Sequence, residues 1–270
     1  MLHHKTYEIG PTADWVVFVH GAGGSSAIWF KQVRDFRKKF NVLLFDLRGH
    51  GESSRMPVSQ LRYTFDDVSR DIIEVLDHVG VRRAHFVGIS LGSLIIRSIA
   101  DIDPDRVGTV VLGGAITRLN VRSRVLVAIG NMFKHVVPYI WLYRFFAWII
   151  MPRKRHKESR ALFTREARKL CQKEFLRWFR LTSRVVPLLR SYAERELEAP
   201  TLYLMGQEDY MFLPAVQRLI ETHKRSILKI IEGAGHVCNV EEPRLFNRHA
   251  IAFMLANRLG PPSGASFVAG

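Results

Sequence analysis

Three residue types able to perform acyl transfer together are scattered through this chain, each at the end of an apolar run. Ser90 sits in GISLG (88–92), Asp209 in GQEDYMF (206–212) and His236 in GAGHV (233–237). A serine hydroxyl is a poor nucleophile near neutral pH and needs an adjacent base. An imidazole can be that base, and a carboxylate can hold the imidazole in the right tautomer and stabilise its cation. Glu208, beside Asp209, is the alternative acid; Asp209 is preferred. GISLG matches G-x-S-x-G, in which the serine occupies a sharp strand-to-helix turn with strained backbone angles. Gly88 and Gly92 make room for that turn. The helix it opens presents free N–H groups to developing negative charge.

These residues act together only if the elements carrying them converge. Six short apolar runs without polar alternation read as buried parallel strands: 15–21, 42–47, 84–90, 108–115, 200–206 and 227–235. Helical patterns separate them. In 64–80 the apolar residues Val68, Ile72, Val75, Leu76 and Val79 form a 3.6-residue stripe, with Thr64 as N-cap and Gly80 as the stop. Helices are also expected from Leu91 and across 241–258. Alternating strands and helices imply a doubly wound α/β sheet. In an open parallel sheet the strand ends meet ligands at one edge. Ser90, Asp209 and His236 all follow strands, in the chain order Ser, Asp, His found in one family of hydrolases.

On these residues the chain resembles the α/β-hydrolases, in particular the group with bacterial carboxylesterases and ring-fission-product hydrolases. The likeness runs through HGAGG (20–24), DLRGHGES (46–53), GISLGS (88–93), GQED and GAGH, five motifs in order. It implies a mostly parallel doubly wound sheet with a helical cap inserted after the sixth strand. It also implies an oxyanion hole built from the backbone N–H groups of Ala22 and Leu91, on the order of 3 kcal/mol for each donor. Gly21 and Gly23 would let the backbone approach the substrate. Asp46, Arg48 and His50 read as shaping a turn. The HGAGG loop lacks the Lys-Ser/Thr of a phosphate-binding loop, and no residue cluster suggests a metal or cofactor. The reading is a serine hydrolase acting on carboxylic esters of small to medium apolar acyl groups. C–C bond hydrolysis, cofactor-free perhydrolysis and a lipase or thioesterase activity at a membrane use the same three residues. A non-enzymatic ligand receptor is disfavoured by the intact set.

The net charge of +15 is not evenly spread: residues 117–198 hold 19 Lys and Arg against 6 Asp and Glu, a net of +13. The strand–helix alternation fails over this stretch. The expected organisation is a core from 1–115 and 199–260, a basic helical cap over 116–198, and a flexible Gly/Pro/Ser-rich tail at 261–270. Within the cap, Pro138 to Pro152 is apolar and aromatic but carries Arg144 in its middle. That is too short and interrupted for a membrane span. Its Trp141, Phe145, Phe146, Trp148 and Ile149 are expected to pack the cap onto the core and line the substrate pocket. Part of its surface, with Arg153, Lys154, Arg155 and Lys157, could instead rest on an anionic membrane. Nucleic acid is not an expected partner, because the basic residues match no recognition motif. The N-terminus has no apolar leader pattern, and Cys171 and Cys238 lack zinc-ligand spacing. Both point to a cytosolic protein with free thiols. His223 and His249 are expected on helix surfaces.

Overall fold

The computed structural model describes residues 1–56 and 63–259; the tail expected to be flexible, 261–270, lies outside them. Seven strands form one sheet: β1 (His4–Tyr7), β2 (Trp15–Val19), β3 (Asn41–Phe45), β4 (Ala84–Ile89), β5 (Val107–Gly113), β6 (Thr201–Gly206) and β7 (Ser226–Ile231). Their order is β1-β3-β2-β4-β5-β6-β7. Among the described residues only β1 runs antiparallel to its neighbour.

The central strands are apolar throughout because both faces are covered. Val17, Val19, Leu43 and Phe86 pack on one side with α2 (Phe65–Val79), α3 (Leu91–Ile102) and α9 (Leu213–Ile220). Val16, Phe18, Leu44 and Val87 pack on the other with α1 (Phe30–Phe36), the short α10 (Cys238–Glu241) and α11 (Pro243–Ala256). The boundaries of α2 follow local chemistry. Thr64 and Asp67 form a reciprocal capping box, and Gly80 ends the helix in the left-handed region at φ 79°.

Between β5 and β6 the chain builds five helices: α4 (Val121–Phe133), α5 (Tyr139–Ile150), α6 (Lys157–Ala167), α7 (Gln172–Ser183) and α8 (Val186–Glu194). This insertion therefore follows the fifth strand, not the sixth. Only one short strand, β1, precedes β2, so the count at the insertion is one lower than the resemblance implied. The insertion has a small core of its own around Leu142, Tyr143, Ala167, Leu170, Phe175 and Phe179. Polar ties fix it to the sheet domain. Trp178 Nε1 donates to the Arg48 carbonyl at 3.1 Å, Ser25 Oγ donates to Glu166 at 2.6 Å and the Tyr63 hydroxyl donates to Glu174 at 2.6 Å.

Candidate active site

Ser90 is the turn between β4 and α3. Its φ of 54° is the only positive value at a non-glycine residue among those described. Such a conformation costs an L-residue on the order of 1–3 kcal/mol and persists only where its surroundings enforce it. Here the Ser90 N–H donates to the Gly113 carbonyl at 3.0 Å, and Ser93 Oγ donates to the Ser90 carbonyl at 2.6 Å. At Gly92 any Cβ would collide with the Val19 carbonyl. The turn is thus pressed against β2 and β5 while its hydroxyl stays at the sheet edge.

Two further loops bring partners to that hydroxyl. Asp209 follows β6 and is fully buried. One carboxylate oxygen accepts from the Phe212 N–H at 3.1 Å; the other lies 2.8 Å from His236 Nδ1. A carboxylate only accepts, so Nδ1 carries the proton and Nε2 is left as the acceptor. Nε2 lies 3.0 Å from Ser90 Oγ, which donates to it. Residues separated by 146 positions are thereby joined in one hydrogen-bonded chain. Glu208, the rival acid, points elsewhere: it bonds His156 of the insertion at 2.9 Å and pairs with Arg153 and Arg155. The identity of the acid beside His236 is a matter of geometry that neighbouring residue types could not decide.

The HGAGG loop lies alongside. A Cβ at Gly21 would fall 3.2 Å from Ser90 Cβ and 3.8 Å from the Leu91 nitrogen. Leu91 is the first residue of α3, so helix geometry leaves its N–H without an intrahelical acceptor. Two buried histidines hold this loop. His50 Nδ1 donates to the Arg48 carbonyl at 3.1 Å, and its Nε2 accepts from the Gly23 N–H at 2.9 Å. His20 Nδ1 donates to the Gly21 carbonyl at 2.8 Å, and its Nε2 accepts from Leu47 N–H at 2.9 Å. Each ring needs one bare nitrogen, so both are neutral. Burial pulls both pKa values down, and the neighbouring His20 adds to the effect at His50, which falls to about 3. Asp46 accepts from Ser26 N–H at 2.6 Å and Glu52 N–H at 2.8 Å. Burial opposes its charge, and these donors prevail in keeping its pKa low. DLRGHGES is therefore a structural clamp on the HGAGG loop, a role beyond the turn-shaping expected of Asp46, Arg48 and His50.

Above Ser90 lies a cavity of about 210 Å³ bounded by Gly21, Ala22, Ser90, His236 and helices of the insertion. Its walls include Leu126 and Val127 of α4, Tyr143, Phe146, Ala147 and Ile150 of α5, and Phe175, Trp178 and Phe179 of α7. Gly23 stands just behind, at φ +72°; a Cβ there would meet the Tyr143 ring at 2.6 Å. No Lys, Arg, Asp or Glu lines the cavity among the described residues. Trp141 and Phe145, expected in the pocket, are not there: both face solvent, 64% and 39% exposed. Apart from Arg144, α5 is apolar on every side, so periodicity could not say which apolar side chains turn inward. The α7 residues were missed, although Phe175, Trp178 and Phe179 recur at the i, i+3, i+4 spacing of a buried stripe. His223 is also not a surface residue. It is buried and bonds the Ala193 carbonyl at 3.1 Å. Both cysteines are free; burial raises the Cys238 thiol pKa far above its usual value. Among the described residues no group of His, Cys, Asp and Glu is placed to hold a metal, and no helix is long and apolar enough to cross a membrane.

The alpha/beta hydrolase family matches residues 16–249. The chain belongs to that family. RutD of Variovorax paradoxus (strain S110) is 28% identical over 264 residues, covering 92% of this chain and 95% of the relative. The 3-oxoadipate enol-lactonase 2 of Acinetobacter baylyi is 26% identical over 267 residues, covering 87% and 86%. The crystal structure of the enol-lactonase from Burkholderia xenovorans LB400 shares the fold with a TM-score of 0.77 at 22% identity, covering 94% of this chain and 96% of that one. Family and relatives together make this α/β-hydrolase an enzyme of hydrolytic type.

Proposed function

We propose that this α/β-hydrolase cleaves carboxylic esters with small to medium apolar acyl groups through a Ser90 acyl-enzyme. One observation carries the reading: the Ser90–His236–Asp209 hydrogen-bonded chain ends in a cavity walled by aliphatic and aromatic side chains. His236 Nε2 takes the Ser90 proton as Oγ bonds to the ester carbonyl carbon. Asp209 stabilises the imidazolium so formed. The Ala22 and Leu91 N–H groups donate to the oxyanion. Collapse breaks the bond to the leaving alcohol, whose oxygen takes the proton from His236. Water, deprotonated by His236 in turn, then releases the acid and restores Ser90.

The apolar walls also select among the chemistries a serine triad can perform. A lactone of 3-oxoadipate, the substrate class in a relative's name, keeps one free carboxylate. So do the keto acids that C–C hydrolases cleave. A carboxylate buried here would lose its hydration with no cation among the described lining residues to replace it. A neutral acyl chain loses nothing and gains about 0.8 kcal/mol per buried CH₂. The test is labelling with a fluorophosphonate probe and hydrolysis of p-nitrophenyl esters of rising chain length. Wild-type protein is expected to label, to lose labelling in Ser90→Ala, and to prefer neutral acyl esters over carboxylate-bearing ones. Absence of wild-type labelling would sink the assignment of Ser90 as nucleophile; a preference for acidic substrates would sink the substrate class.

A further inference from the structure

Two of the helices that wall the cavity, α4 and α5, are apolar on their outer faces as well. Eight of the thirteen large apolar side chains exposed among the described residues fall between Val121 and Trp148. They are not scattered. On α4, Val121, Val125 and Met132 share one solvent-facing stripe. On α5, Trp141, Phe145 and Trp148 do the same at the i, i+4, i+7 spacing. A surface helix ordinarily turns a polar face to water. These two turn apolar faces both to the cavity and to solvent. Exposed Arg124 and Arg144 flank the stripes, and the Arg144 guanidinium lies 6.0 Å from the centre of the Trp141 ring.

The charge around the stripes is of one sign. From Arg106 to Lys157 the sequence holds no Asp or Glu at all. This excludes a second copy as the natural occupant, because two such faces would bring like charges together. Phosphodiester chains would meet the cations but have no use for Val121, Val125 and Met132, which offer no ring for stacking. An anionic bilayer satisfies both demands: headgroups for the arginines, and the acyl boundary for the aliphatic and indole side chains. The basic run after α5 contributes less than its composition suggests, since Arg153 and Arg155 are drawn to Glu208.

We infer that the outer face of α4 and α5 seats this protein on anionic lipid bilayers, with the Val121–Met132 and Trp141–Trp148 stripes at the headgroup boundary and Arg124 and Arg144 on the lipid phosphates and carboxylates. The inference concerns where the enzyme sits and stands apart from which ester it cleaves. Its test is flotation of the full chain with phosphatidylcholine vesicles, with and without 30 mol% phosphatidylserine, near 0.1 M salt. The wild type is expected to float with the anionic vesicles, to shift its tryptophan emission to the blue, and to release as salt rises. Trp141→Ser with Trp148→Ser, and separately Arg124→Gln with Arg144→Gln, are expected to weaken binding by about tenfold or more. Both pairs are exposed, and either alone decides the matter if the other fails to fold. Wild-type protein that ignores anionic vesicles, or variants that bind as well as wild type, would overturn the inference. So would a face that, without binding vesicles, dimerises the chain or shifts an oligonucleotide at the same salt.

Discussion

Helices α3 and α5 are both twelve residues long and both strongly apolar, yet they meet different fates. Every residue of α3 from Leu91 to Ile99 is buried, because the sheet lies under the helix and α2 beside it. On α5 only Leu142, Tyr143 and Ala147 are buried. That helix belongs to an insertion with a small core; Ile140 and Ile149 are half-buried against neighbouring clusters, and much of the remaining apolar surface faces the cavity or solvent. Apolar content therefore reports burial in the sheet domain and something else in the insertion. In the first it measures packing; in the second it measures what the helix is exposed to besides water.

The sharpest way to test this division lies at the adjacent acids where the two regions meet. Asp209 faces His236, and Glu208 faces the insertion. Asp209→Asn is expected to lower kcat/KM by about 10⁴, because the imidazole loses its tautomer and its counter-charge. Glu208→Gln is expected to cost no more than about tenfold, mainly by loosening the His156 segment. Equal losses in steady-state assays with a p-nitrophenyl ester would mean that the insertion, too, holds the chemistry in place.

Next in size is packing. Ile96→Ala in α3 is expected to lower unfolding stability by about 3 kcal/mol through lost burial and a residual cavity. Trp148→Ser on α5 is expected to change it by less than about 0.5 kcal/mol, since its side chain is largely exposed. Urea unfolding of the two variants checks this; a costly Trp148→Ser would show the outer stripe to be hidden core.

A smaller effect comes with acid. His50 is neutral in the fold, with its pKa lowered to about 3 from 6.5 mainly by burial and then by His20. The unfolded chain binds that proton first as pH falls. Stability from this group is therefore complete above pH 6.5 and drains as pH drops toward 3. Between pH 7 and pH 5 the loss is about 2 kcal/mol. Urea midpoints at the two pH values are expected to converge in His50→Gln relative to wild type. An unchanged difference would place the acid sensitivity elsewhere, for example at His85, whose pKa burial lowers to about 4.

The same contrast explains what could be read from the residues alone. Six strands, the cap and stop of α2, and the Ser90, Asp209 and His236 loops were all visible, because apolar runs and glycine-rich turns have one structural meaning inside a sheet. β1 was not, since HKTY is short, polar and at the sheet edge. In the insertion the right segment was found but its faces were not separated: of Trp141, Phe145, Phe146, Trp148 and Ile149, expected together, only Phe146 lines the cavity. Trp141 and Phe145 are as apolar as Tyr143 and Phe146, and only the fold around α5 tells the two pairs apart. The alternate acid, the buried His223 and the bonding of Arg153 and Arg155 to Glu208 likewise depend on contacts between distant segments.

The close approach of Gly23 to Tyr143 bears on how the insertion can be exchanged. The tightest point of the HGAGG loop is shaped against a ring that the insertion supplies. A side chain at position 23 has no room while that ring is there, and the loop loses its backstop if the ring is removed. A graft that imports another relative's insertion must therefore bring a flat aromatic to the place of Tyr143, or alter the loop at the same time. The two segments are a matched pair of parts, inherited or engineered together, although 119 residues of chain lie between them.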